Sequence, residues 1–418
     1  MLLACVLGIL LTAGCASSAA DSASSGGESA QEGTASGQND DSDDGETESE
    51  EGSSGEASGS DDSAASDSSS AGSGTEESAE AVTKYSFYFD TVCSITVYGM
   101  DKAAYQEFAG DEALSSFEDA AADVISDAFS LCIYYENLLS RTVEGSDIWN
   151  INHAEGGAVA CDPETVTIVQ MGIDYGDLSG GRFDITIGPV SDLWNFTSTD
   201  EEPVIPDDDD LEEALAHVDY RTVQVDEDAG TVQLLDADAQ IDLGGIAKGY
   251  IADAVCDLLR GEGVVSAIVS LGGNIACVGS KPLVYGFQSS DAEYKSFNIG
   301  IESPYSDMTS IIGYSAVDDG TMVTSGVYER YFTVDDVEYH HILDVDTGYP
   351  VDTDVVGVSI LGGAGTSVDC DALATICLIL GSEEGYALID AQEGLEAAFI
   401  LTDGSILTTD GMDFTATE

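Results

Sequence analysis

Apolar and polar positions along this chain change rhythm many times, and each change marks an element. Residues 85–98 alternate closely enough for an opening strand centred on Phe89-Asp-Thr91. Residues 116–137 carry helical spacing, and a polar loop over 138–146 leads to a short segment at 147–150. Residues 164–176 read as a second helix closed by glycine, and 211–217 as a short third one, preceded by an acidic loop over 197–210. Residues 231–241 read as a strand. From Ile246, the residues Tyr250, Ala254 and Leu258 recur at helical spacing until Gly261 and Gly263 stop the run. Further on, 265–280 read as a strand pair joined at Gly272-Gly-Asn274, 297–302 as a strand, and 328–343 as a hairpin turning at Asp335-Asp336. Residues 355–361 give a strand and 366–380 a helix. Strands and helices are mixed without strict βαβ alternation, which predicts an α+β fold.

The rhythm is missing from residues 16–81. That stretch is Ser, Gly, Ala, Asp and Glu, with no aromatic residue and no Lys or Arg, so it reads as a disordered, self-repelling tether. Before it, residues 1–13 form an apolar run ending in Leu11-Thr-Ala-Gly-Cys15, with the apolar body and small-residue end of a secretory signal. It is too short for a stable transmembrane anchor. A Cys after small residues resembles a bacterial lipoprotein processing site, with Cys15 the lipidated first residue and the protein held on the extracytoplasmic face of the membrane. The chain lacks the usual basic start, and Thr12 stands where Leu is common. Residues 82–418 are then the folded part, long enough for a single unit or for two packed α/β subdomains.

Charge narrows the partners. Ten Lys plus Arg face 81 Asp plus Glu, a formal net charge of −71. Such a field repels nucleic acid and anionic lipid head groups. A phosphate ligand would need local neutralisation by a divalent cation, backbone N–H groups or the few basic residues. The cysteines beyond the leader are odd in number and form no CxxC pair, so neither a disulfide framework nor a zinc site is indicated.

Candidate chemistry centres on Ile241-Asp-Leu-Gly-Gly-Ile-Ala-Lys-Gly-Tyr250. Gly244-Gly245 is a strand-to-helix turn where backbone approaches a ligand and first-turn N–H groups face outward, a setting that suits phosphate. Asp242 precedes the turn, and Lys248 follows one helical turn later. Alone, these residues better describe a tight turn and a solvated lysine. Asp371 and Thr375 are four apart on a predicted helix and project from one face as hard oxygen donors suited to Mg²⁺; alone, they equally describe a packed threonine and one more acid. His341 sits where the hairpin runs into Asp344-Val-Asp-Thr-Gly-Tyr-Pro350. Trp194 reads as core.

The order of these segments carries more than any one of them. Gly181-Arg-Phe-Asp-Ile-Thr-Ile-Gly-Pro-Val190, the turn at 242–250, Leu271-Gly-Gly-Asn274, Thr324-Ser-Gly326 with Tyr328, His341-Ile342 with Asp344 and Thr347-Gly-Tyr-Pro350, and Asp371-Ala-Leu-Ala-Thr375 follow one another as in the ApbE family, which the chain resembles from about residue 85 to its end. These are FAD:protein FMN transferases, often lipoproteins.

The resemblance implies Mg²⁺ held by Asp371, Thr375 and the Gly245 carbonyl. It implies FAD, the substrate, contacted by Phe89, Arg182, Phe183, Asp184, Asp242, Lys248, His341 and Ile342. It implies transfer of FMN from FAD to a Ser or Thr hydroxyl of an extracytoplasmic or membrane redox protein, with AMP released. Lys248, His341 and Asp371 would carry the chemistry, with Asp371 and His341 both open as general base. Where the family has Met-Gly-Thr, this chain has Phe89-Asp-Thr91. Val345 and Asp346 replace the family's Pro and basic residue. Two other functions fit the same residues: hydrolysis of FAD to FMN and AMP, and flavin binding without chemistry.

Overall fold

The computed structural model describes residues 79–196, 203–304 and 310–417. The leader with Cys15, the tether up to residue 78 and part of the acidic loop at 197–210 therefore lie outside the described residues.

The opening segment is a hairpin rather than one strand. β1 (Val82–Tyr88) pairs antiparallel with β2 (Thr91–Met100), and the chain reverses at Phe89 and Asp90, with φ of 55° and 56°. Two consecutive left-handed residues suit the twist of a tight hairpin. Without glycine there, the alternation runs through the turn unbroken in sequence. The Phe89 N–H, left free by the turn, donates to Glu136 Oε1 at 2.9 Å.

A nine-stranded sheet is built outward from this hairpin. In order it runs β1, β2, β3 (Val264–Leu271), β4 (Asn274–Val278), β5 (Gly320–Gly326), β6 (Val355–Gly363), β7 (Glu396–Leu401) and β8 (Ile406–Thr408), each antiparallel to its neighbour. A two-residue strand, Gly286–Phe287, adds parallel to the end of β2. Side chains alternate across the sheet as the pleat dictates. Cys93, Ile95 and Val97 of β2 enter the main core, whereas Tyr98 joins a second one.

The main core lies under three helices, α1 (Phe117–Leu139), α4 (Ala247–Gly261) and α5 (Ser367–Asp390). The second lies under a three-stranded sheet of Phe297–Glu302, Ile311–Val317 and Phe414–Ala416. A third gathers α3 (Gly188–Trp194), the helix Asp208–Leu215 and the hairpin Tyr331–Val334/Val337–His340 around Trp194, which is 2% exposed. Between α1 and α3 lies α2 (Pro163–Leu178), started by Asp162 and proline at its first position.

Two sequence expectations change length. The strand expected over 231–241 ends at Leu234, and residues 235–241 run on irregularly except for one bridge, Gln240 to Ile187. The helix expected over 366–380 continues to Asp390 across a break at Gly381, where φ is 79°. This α5 is apolar and long enough to cross a bilayer by composition, yet half of that stretch is buried inside the fold. Of the cysteines, Cys161 is partly exposed and Cys93, Cys132, Cys256, Cys277, Cys370 and Cys377 are buried free thiols.

Candidate active site

Two helix N-termini meet at the site, and neither has a side-chain cap of its own. Each is closed by an acid from the other. Asp253 of α4 accepts the Ser367 and Val368 N–H groups at 3.2 and 3.1 Å, and Asp371 of α5 accepts the Gly249 N–H at 2.9 Å. Contact is close enough that a Cβ on Gly249 would fall 2.2 Å from the Ser367 carbonyl oxygen. Glycine is therefore needed there for helix approach.

This packing buries Asp371 to 1% exposure. Burial pushes its carboxyl above the usual range, while the Lys248 ammonium and the Gly249 N–H oppose that push. Lys248 Nζ lies 3.6 Å from Asp371 Oδ1 and donates to the Gly244 carbonyl at 3.2 Å. Thr375 stands one turn further along α5, its hydroxyl 3.5 Å from the Asp371 carbonyl. Gly245 faces the same point: a Cβ there would lie 2.8 Å from the Phe183 ring and 3.8 Å from Thr375 Oγ1. Phe183, Gly245, Lys248, Asp371 and Thr375 thus converge.

The turn itself corrects one expectation. Asp242 Oδ1 accepts the Gly244 N–H at 2.8 Å, the Leu243 carbonyl takes the Ile246 and Ala247 N–H groups, and Asp371 takes that of Gly249. Most first-turn donors are thus committed within the protein rather than facing outward. Charge neutralisation at this terminus falls to Lys248 and to whatever Asp371 and Thr375 hold.

The remaining expected residues divide. His341 places Nδ1 3.2 Å from the Arg330 carbonyl, so this nitrogen donates and Nε2 keeps the lone pair. Burial, then the Arg330 charge, hold its imidazole down to about 3, so it is neutral at neutral pH. Ile342 is 5% exposed and belongs to the main core. The Asp184 carboxylate is engaged within the fold. Oδ1 accepts the Thr186 N–H and hydroxyl at 2.7 and 2.6 Å, and Oδ2 accepts the Tyr220 N–H at 2.9 Å. Arg182 is exposed. Phe89 sits at the hairpin tip with its ring 6.1 Å from that of Tyr88.

Sequence reasoning missed two charged residues. Glu329 accepts the Gly326 N–H at 3.1 Å. It retains solvent contact, yet the surrounding protein and then Asp371 push its carboxyl up, against the opposing Lys248 charge and Gly326 N–H. Arg141, in the loop after α1, reaches Asp242 and Asp192. Basic residues are so few here, ten in all, that scarcity itself is the signal that could have marked it.

The sequence profile of the ApbE family matches residues 89–399, which span every group just described. The chain belongs to the ApbE family. It is 36% identical over 329 residues to the FAD:protein FMN transferase of Treponema pallidum, covering 77% of this chain and 85% of that one. Its identity to the FAD:protein FMN transferase of Klebsiella pneumoniae is 32% over 295 residues, covering 70% and 86%. The crystal structure of the ApbE protein from Thermotoga maritima superimposes with a TM-score of 0.66 at 27% identity, covering 79% of this chain and 97% of that one. This ApbE-family fold is the α+β architecture that the sequence predicts.

Proposed function

We propose that this ApbE-family chain is an FAD:protein FMN transferase that moves FMN from FAD to a Ser or Thr hydroxyl of an acceptor redox protein and releases AMP. The observation that carries the proposal is the convergence of Lys248, Asp371, Thr375 and Gly245 where two helix N-termini meet. Relatives that bear this activity in their names support it.

The donor set fits Mg²⁺: a buried carboxylate, a hydroxyl one turn away and an adjacent glycine backbone, all oxygen donors. Asp371, Thr375 and the Gly245 carbonyl would hold the ion, and bound Mg²⁺ supplies charge neutralisation on the pyrophosphate oxygens. The protein's own groups do the rest. Lys248 places its ammonium beside the same carboxylate, where it offsets phosphate charge in a chain of net charge −71. Phe183 places its ring edge beside the Gly245 turn. Both Asp371 oxygens have partners in Lys248 and Gly249, whereas neutral His341 keeps Nε2 free to accept a proton. An imidazole held down to about 3 is a weak base, so Asp371 and His341 both stay open as the group that takes the acceptor hydroxyl proton.

The localisation proposal rests on sequence: Cys15 carries the lipid and residues 16–81 space the domain from the extracytoplasmic face of the membrane. Loss of membrane association on Cys15→Ser is the expected outcome, and a variant still recovered with membranes overturns it.

The activity is tested by intact-mass analysis of an acceptor domain carrying a Ser/Thr flavinylation motif, incubated with the protein, FAD and Mg²⁺. A mass gain of one FMN, lost in Asp371→Ala and in excess chelator, is expected. FMN and AMP without adduct would make the protein a hydrolase. FAD bound but intact would make it a flavin carrier.

A further inference from the structure

Arg141 occupies an unusual place for a basic residue in so acidic a chain. Its side chain is 18% exposed. The guanidinium donates to Asp192 Oδ1 at 2.8 Å, Gln240 Oε1 at 3.0 Å, the Gly188 carbonyl at 3.4 Å and Asp242 Oδ2 at 3.5 Å. Two of these acceptors lie on α3 and two on the segment that runs into the Gly244–Gly245 turn. Asp192, Gln240 and the Gly188 carbonyl share the two hydrogens of Nη2 while Nη1 meets Asp242, so the planar fork spans both segments, which a single ammonium does not match.

A chain of direct contacts continues from Asp242 into the site. Its second oxygen, Oδ1, accepts the Gly244 N–H at 2.8 Å. The Gly244 carbonyl accepts Lys248 Nζ at 3.2 Å, and that ammonium lies 3.6 Å from Asp371. Two successive glycines impose no conformation by themselves, since glycine populates both signs of φ almost equally. The shape of this turn must come from the groups that grip it, and on its leading side the grip is the Asp242 carboxylate. An unheld carboxylate at 25% side-chain exposure would be free to turn toward water.

We propose that Arg141 is a positioning residue for the flavin site. By fixing Asp242 it sets the Gly244–Gly245 turn, and with it the placement of Lys248, in the geometry that binds FAD. The assignment rests on the flavin-transfer reading above.

The test uses the full chain, with FAD affinity read from flavin fluorescence, thermal unfolding read in parallel and FMN transfer read by mass. Arg141→Gln is expected to weaken FAD binding by roughly tenfold to a hundredfold, the scale of a lost charge-assisted hydrogen bond. Arg141→Lys, which keeps the charge and spares the fold, is expected to lose at least about half of that binding free energy. Asp192→Asn removes the charge of the shortest partner of the same guanidinium without touching the turn, and FAD affinity is expected to stay within about twofold. Arg141→Gln combined with Asp242→Asn is expected to bind FAD no more weakly than Asp242→Asn alone, because both changes release the same turn.

Unchanged FAD affinity in Arg141→Lys and Arg141→Gln overturns the proposal. So does an Asp192→Asn loss as large as theirs, which would make the guanidinium a general structural tie, and so do fully additive effects of the two substitutions at 141 and 242. The two readings fail separately. A wild-type chain that binds FAD but transfers nothing sinks the transfer reading and leaves the positioning role standing. A wild-type chain that transfers FMN alongside Arg141 variants of unchanged affinity does the reverse. A wild-type chain that binds no FAD overturns both.

Discussion

At the scale of single residues, burial decides which groups can change charge. Glu262 is 3% exposed and leaves Oε2 without a hydrogen bond. Burial, with Asp127 and Asp123 adding repulsion, pushes its carboxyl up to about 8. The folded value lies above the unfolded one, so the folded state is penalised progressively as pH rises from about 4.5 to about 8. Glu262→Gln should therefore raise stability by on the order of 2 kcal/mol at pH 8 and change little at pH 4, as read from denaturant midpoints. An equal effect at both pH values would refute the burial argument. Cys370 beside Asp371 is the opposite case for reactivity, because it is fully buried and its thiol is pushed well above the ordinary range. Thiol-directed reagents and mild oxidants should leave FMN transfer unchanged, and inactivation reversed by reductant would contradict this. Lys248, Asp371, Thr375 and His341 were legible because each sits in a distinctive short motif. Arg141 was not, because Asp242 lies 101 residues away in sequence, and Glu329 was not, because the charges that act on it, Lys248 and Asp371, are also distant in sequence. Asp184 was legible as a motif carboxylate, but its internal partners Thr186 and Tyr220 were not, since a motif does not name the backbone groups a carboxylate holds.

Elements were easier to read than their joints. The helix and strand rhythms over 117–139, 163–178, 264–278 and 297–302 matched the structure to within a few residues, the helices and the last strand because each has one wet face and one dry one, and 264–278 because it is a largely buried apolar run broken by a glycine turn. The hairpin turn at Phe89-Asp90 escaped notice because Phe89 is not a usual turn former at positive φ and no glycine or asparagine accompanies Asp90. The start of α5 was legible but its capping was not, because the capping acid, Asp253, is 114 residues upstream. Replacing that acid with alanine strips two first-turn N–H groups of their acceptor and should cost about 1–2 kcal/mol. Activity should fall with it, because Asp371 rides on the same helix turn. Gly249→Ala is the harsher test, since the added methyl meets carbonyl backbone rather than a flexible side chain. A loss of roughly 3 kcal/mol or more is expected. Calorimetry showing a wild-type melting temperature for Gly249→Ala would mean that the two helices are not so tightly packed.

Across the whole molecule, charge and architecture pull against each other. A net charge of −71 favours expansion, while the nine-stranded sheet and its helices hold the domain together through apolar contacts that salt does not screen. Raising ionic strength from about 0.01 M to about 0.15 M shortens the screening length from about 30 Å to about 8 Å, so melting temperature should climb by several degrees. A flat response would indicate that the acids are already neutralised by bound cations. The reciprocal closure of α4 and α5 has a further consequence for anyone wishing to move this chemistry elsewhere. Neither helix carries its own start signal, so a peptide copy of either would fray from the end that matters. Grafting the glycine turn and its lysine onto another scaffold would deliver an open helix end and no carboxylate to meet it. The smallest transplantable module is the crossed pair, with Asp253 and Asp371 travelling together.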